Sequence, residues 1–70
     1  MKVKKWLGSA PEKCDLCGAK ITETFIDGRT VMGPWAKMCN NCHTMFGVGL
    51  GTGFGQRYKK NGTDWIKTEG

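Results

Sequence analysis

This chain has few of the residues that catalysis or membrane insertion needs. Its 70 residues include one histidine, His43, and one serine, Ser9. No carboxylates pair at a spacing suited to general acid and base work, so the usual catalytic constellations are missing and no enzyme is expected. No apolar run is long enough to span a bilayer, and no membrane partner is expected. A secretory signal is also lacking, because Lys2, Lys4 and Lys5 are followed only by Trp6-Leu7-Gly8, far short of an apolar signal core. These absences place the protein in the cytoplasm, where thiols stay reduced, and the initial Met1 fits a complete small protein. There is no GxxxxGK[ST] loop, and the glycine spacing of residues 47–55 misses GxGxxG, so no small-molecule substrate is expected.

A chain this short gains only a few kcal/mol from an apolar core and needs a staple. Four cysteines supply one, as Cys14-Asp15-Leu16-Cys17 and Cys39-Asn40-Asn41-Cys42. A CxxC turn sets two sulfurs on one side of a tight loop. Two such turns facing each other offer four thiolates at tetrahedral geometry, the donor set of a closed structural zinc site. We therefore assign one structural Zn²⁺ to Cys14, Cys17, Cys39 and Cys42. Iron in a rubredoxin-like carrier uses the same four-sulfur geometry. Cys39 to His43 also fits the covalent haem-attachment pattern, but that use would leave Cys14 and Cys17 without a role. A thioredoxin-like role lacks its βαβ setting. His43 is expected beside the metal site or at the surface.

One domain, residues 1–70, is expected, mostly β and stabilised by metal. Residues 1–13 are a lead-in, with Trp6 or Leu7 covering one side of the metal core. Residues 14–42 are the zinc core with a hairpin. Gly18 follows the first knuckle where a positive φ is wanted, and Leu16 is expected beneath the site. Ile21 to Ile26 reads as a strand, Asp27-Gly28 as its turn, and Arg29 to Met32 as the return, bent at Gly33-Pro34. Residues 43–55 form a glycine-rich segment whose strict alternation, if extended, puts every glycine on one face and Val48, Leu50, Thr52 and Phe54 on the other. Residues 56–67 form a second hairpin turning at Asn61-Gly62, with Tyr58 and Trp65 laid over the metal core.

The formal charge is +5 with neutral thiols, and one zinc bound by four thiolates lowers it to about +3. That balance favours an anionic partner. Cations stand beside aromatic rings at Trp35 and at Arg57-Tyr58-Lys59-Lys60, a mixture that suits a single strand whose bases stack while its phosphates meet cations. Trp35, Arg57, Tyr58, Lys59 and Lys60 are therefore the candidate nucleic-acid contacts. The alternative is an adaptor that docks on a host or phage protein through the glycine strand or an aromatic patch.

With Cys14-Asp15-Leu16-Cys17-Gly18, a hairpin and Cys39-Asn40-Asn41-Cys42-His43 together, residues 14–42 resemble a zinc ribbon. The stretch from Phe25 to Tyr58, FIDGRTVMGPWAKMCNNCHTMFGVGLGTGFGQRY, is similar to small CxxC…CxxCH proteins of tailed bacteriophages and prophages. The resemblance implies a zinc ribbon with two β-hairpins, contact with nucleic acid or RNA polymerase, and work in the host cytoplasm. It carries over no catalytic residue. The alternative fold, a treble clef, needs a helix at the second knuckle, for which His43 to Phe46 leave room for one short turn after Cys42.

Overall fold

The computed structural model describes residues 5–6 and 10–70. Among these, four strands and one helix follow in the order β1 (Thr24–Arg29), β2 (Trp35–Met38), α1 (Asn40–Phe46), β3 (Gly55–Asn61) and β4 (Asp64–Glu69). The strands form one antiparallel sheet in the order β2-β1-β3-β4. The mostly-β expectation holds. A helix starting at the second cysteine pair is the feature that the treble-clef alternative required.

β1 runs through the centre and is covered on both faces, because neighbouring residues of a strand point opposite ways. Ile26 is fully buried on one face with Met38, Ala36, Cys14 and Cys42, and Phe46 and Leu50 pack around that cluster. Phe25 is fully buried on the other face with Ile21 and Trp65, beside Trp6, Ala10 and Tyr58. The second cluster is aromatic. Phe25 stacks on Tyr58 with centroids 5.1 Å apart and meets Trp6 and Trp65 edge to face at 5.3 and 5.0 Å.

The sheet therefore separates the metal side from the aromatic side, which corrects two expectations. Trp6 covers the face opposite the cysteines, and Leu7 lies outside the described residues. Tyr58 and Trp65 also sit on that opposite face, so the second hairpin does not lie over the metal core; Phe46 and Leu50 have that place.

The first turn also moves. Asp27 and Gly28 are interior to β1, paired with Lys37 and Ala36 of β2 and with Gln56 and Gly55 of β3. The chain turns over Val31–Pro34 instead, where the buried Thr30 donates both its backbone N–H and its Oγ1 to the Pro34 carbonyl, at 3.0 and 2.8 Å. Gly28 is small for packing reasons. A Cβ there would sit 3.1 Å from the Phe54 carbonyl oxygen and 3.3 Å from the Gly55 Cα. The β3–β4 loop is Gly62-Thr63, one residue beyond the expected pair, since Asn61 and Asp64 still face each other in the ladder.

The glycine run is not an extended strand with a bare face. Gly49, Gly51 and Gly53 have φ of 131°, 121° and 83°, so the segment coils into a loop. The loop closes on itself, with the Gly51 N–H donating to the Gly55 carbonyl and the Phe54 and Gly55 N–H groups donating to the Gly51 carbonyl.

Candidate metal centre

The first half-site is a knuckle clamped at its base. The Cys14 N–H donates to the Ala19 carbonyl at 2.8 Å, and the Gly18 N–H to the Cys14 carbonyl at 2.9 Å. Gly18 has the expected positive φ, 76°. Inside the turn the Leu16 N–H points at the Cys14 sulfur, 3.4 Å away. Leu16 itself is 37% exposed and does not pack beneath the site, because the turn directs its amide inward and its side chain out.

The second half-site is the start of α1. Cys39 occupies the cap position in extended conformation, and its Sγ accepts from the Cys42 N–H at 3.5 Å. A thiolate acceptor thus stands where Ser or Asp would usually satisfy a free helix N–H. The helix carries the buried Cys42 back toward Cys14.

The four Sγ atoms of Cys14, Cys17, Cys39 and Cys42 all lie within 4.8 Å of one another. Cys17 and Cys39, from different half-sites, are 3.7 Å apart. A regular tetrahedron with Zn–S bonds of about 2.3 Å has edges of about 3.8 Å, so the spacing suits a zinc ion and is far too wide for a disulfide. These four residues form a site for one structural zinc. His43 is not among them: its Nε2 donates to the Gly49 carbonyl at 3.1 Å, tying the helix to the glycine loop.

The thiols are electrostatically unequal. Burial acts most strongly on Cys14 and pushes it up, but N–H groups of Cys17, Cys39 and Leu16 together with the Cys42 thiol outweigh it and hold Cys14 at about 6. Burial pushes the Cys42 thiol up, reinforced by its contacts with the Cys14 and Cys39 sulfurs. Of this pair, Cys14 is therefore the first to ionise.

The five candidate nucleic-acid contacts are not brought together. Trp35 is 48% exposed on β2, two strands from β3. Tyr58 is committed to the aromatic cluster, held between Phe25 and Trp6. Arg57 pairs with Glu69, and its Nε is buried with no hydrogen-bond partner among the described residues. Lys59 is exposed and shares the Arg57 face of β3. Lys59 and Lys60 line a shallow cleft with Asn61, Ile66 and Thr68, and Lys60 also reaches a second cleft that it shares with two lysines not singled out above, Lys13 and Lys20. Their signal was the knuckle itself, a tight hairpin that must set its flanking residues opposite each other.

No protein-family model, curated protein or solved structure matches this chain.

Proposed function

We propose that the chain is a zinc-stabilised binding module, with no catalytic role, that engages nucleic acid through its positive charge. The observation that carries this reading is the distribution of carboxylates. From Gly28 to Thr63 there is none, although the stretch includes Arg29, Lys37, Arg57, Lys59 and Lys60. Of those five, Arg57 alone is in an ion pair among the described residues, with Glu69. A surface whose cations are not neutralised attracts a polyanion by releasing its condensed counterions. The resemblance of residues 25–58 to small phage and prophage proteins is in keeping with this role, in the host cytoplasm. No helix among the described residues is long and apolar enough to cross a membrane.

Fluorescence titration of the zinc-loaded chain against single- and double-stranded DNA and RNA tests the reading. Binding that weakens steeply as salt rises supports it. No binding at low salt, where the phosphate contribution is largest, rejects it.

A second reading has its own observation. Val31, Met32, Met45, Val48 and Phe54 are all between 38% and 65% exposed. Their segments are stitched together at one end of the sheet: the Val31 N–H donates to the Phe46 carbonyl, the Val48 N–H to the Arg29 carbonyl and the Arg29 N–H to the Phe54 carbonyl. Exposed apolar side chains carried on adjoining segments suit an adaptor that docks on a protein such as RNA polymerase. Capture of a protein that survives nuclease treatment, and is lost when Met45 and Phe54 are replaced by serine, favours the adaptor.

A further inference from the structure

We propose that the cleft between the first knuckle and the β3–β4 hairpin is a groove for the phosphodiester backbone of single-stranded nucleic acid, seated on Lys13, Lys20 and Lys60. The inference rests on the nucleic-acid reading and names the place where the strand lies. The cleft has a volume of about 590 Å³, the size of a site for a nucleotide-sized group. Its apolar lining comes from Ala10 and Pro11 with the largely buried Ile21 and Trp65, and its charge from the three lysines against the single carboxylate of Glu12.

Two features mark the lysines as more than a solvated rim. Lys13 and Lys20 are direct partners in an antiparallel bridge, held in register by the Cys14-to-Ala19 and Ile21-to-Glu12 backbone hydrogen bonds. Like charges directly opposite each other destabilise a ladder, and an anion between them reverses the sign of that interaction. Neither lysine is in an ion pair with a described carboxylate. Lys60 approaches from the other wall, its Nζ 6.0 Å from the centre of the Trp65 ring, so the cation is positioned over the floor of the cleft. Three lysines lining one concave surface match the negative charge of a phosphodiester backbone. The concavity selects a single strand, since a duplex backbone is convex and too broad to enter.

The test uses the zinc-loaded full chain and fluorescein-labelled oligo-dT across a salt series. A Lys13→Gln, Lys20→Gln, Lys60→Gln variant removes the cleft charge. An Arg29→Gln, Lys37→Gln, Lys59→Gln variant removes the same charge elsewhere. Loss of three contacts lowers the affinity at low salt about tenfold or more, and flattens the slope of log K against log salt by about 2. The matched variant, which removes charge only from the surrounding surface, weakens binding less and flattens the slope less than the cleft variant does. Equal losses in the two variants overturn the cleft and leave the nucleic-acid reading standing. Failure of the parent chain to bind oligo-dT or any other nucleic acid overturns both. Should the cleft variant fail to fold or to retain zinc, the parent chain decides: oligo-dT shifts the Trp65 indole resonance and leaves that of Trp35 in place, and the reverse pattern overturns the proposal.

Discussion

Asp15 and Lys37 hold each other by two reciprocal hydrogen bonds. The Asp15 N–H donates to the Lys37 carbonyl, and the Lys37 N–H donates to the Asp15 carboxylate, both at 2.9 Å. Asp15 lies inside the first knuckle, and Lys37 lies on the outer strand two residues before Cys39. The pair therefore covers the free edge of β2 and fixes the distance between the two half-sites. Asp15→Ala removes the charge-assisted bond, and we expect it to lower stability and weaken zinc binding by about 1.5 kcal/mol or more. Asp15→Asn keeps an acceptor and costs less. Competition with a chelator of known affinity, followed by thermal melting, measures both.

Ile26 is fully buried at the centre of the metal-side cluster. Ile26→Ala removes its contacts with Met38 and the cysteines and leaves a cavity, at a cost of about 2–5 kcal/mol. Domains of this kind have total stabilities of about 5–15 kcal/mol, so the variant approaches the limit of folding. Urea unfolding with zinc in excess should show a large fall in midpoint and little change in slope. A loss under about 1 kcal/mol would mean that the core is not packed as described.

Gly47→Ala tests the junction of helix and loop. The backbone there has φ of −74°, which any residue adopts, so the obstacle is space. A Cβ would run into the His43 ring and lie 2.7 Å from the His43 carbonyl oxygen. The ring must leave, and the bond from Nε2 to the Gly49 carbonyl breaks with it. We expect loss of about 1–3 kcal/mol by overpacking. The His43 ring resonances should shift to solvent-exposed values while zinc remains bound, because His43 is not a ligand.

Zinc affinity should rise with pH, because binding takes thiolates and releases protons. The metal-free chain is unfolded, so its thiols start at their ordinary values and close to four protons, one per cysteine, leave for each zinc bound at pH 7. A metal-free chain that kept its fold would start with Cys14 already ionised, held down to about 6, while burial keeps Cys42 protonated, and it would release clearly fewer. In such a chain the Cys14 contribution to stability is complete above the ordinary thiol value and is lost as pH falls through about 6, and Cys42 acts in the opposite sense. Calorimetry in buffers of different ionisation enthalpy counts the protons; a number well below four would contradict the collapse of the metal-free chain.

The metal site was legible in the sequence because its spacing is a local property: two CxxC turns need no knowledge of the rest of the chain. The strand order and the division into two faces were not. Asp27-Gly28 has the composition of a tight turn, yet Gly28 is glycine because Gly55 passes so close, a contact made by residues far apart in sequence. The helix Asn40–Phe46 exceeds the one short turn expected after Cys42, where only His43 to Phe46 precede the glycines, because it begins inside the second knuckle, capped by the Cys39 sulfur. The glycine alternation suggests a strand, whereas positive φ at the three successive glycines Gly49, Gly51 and Gly53 makes it a coil. Tyr58 and Arg57 looked available to a ligand because their internal partners, Phe25 and Glu69, come from other strands.

The central claim is that one metal ion joins the two cysteine pairs and holds the fold. Its most direct measurement is native mass spectrometry of protein prepared under reducing conditions, paired with amide NMR before and after a strong chelator. One zinc per chain, with dispersed resonances that collapse when the ion is removed, is the result expected. Protein that carries no metal, or that keeps its dispersed spectrum once stripped, would contradict it.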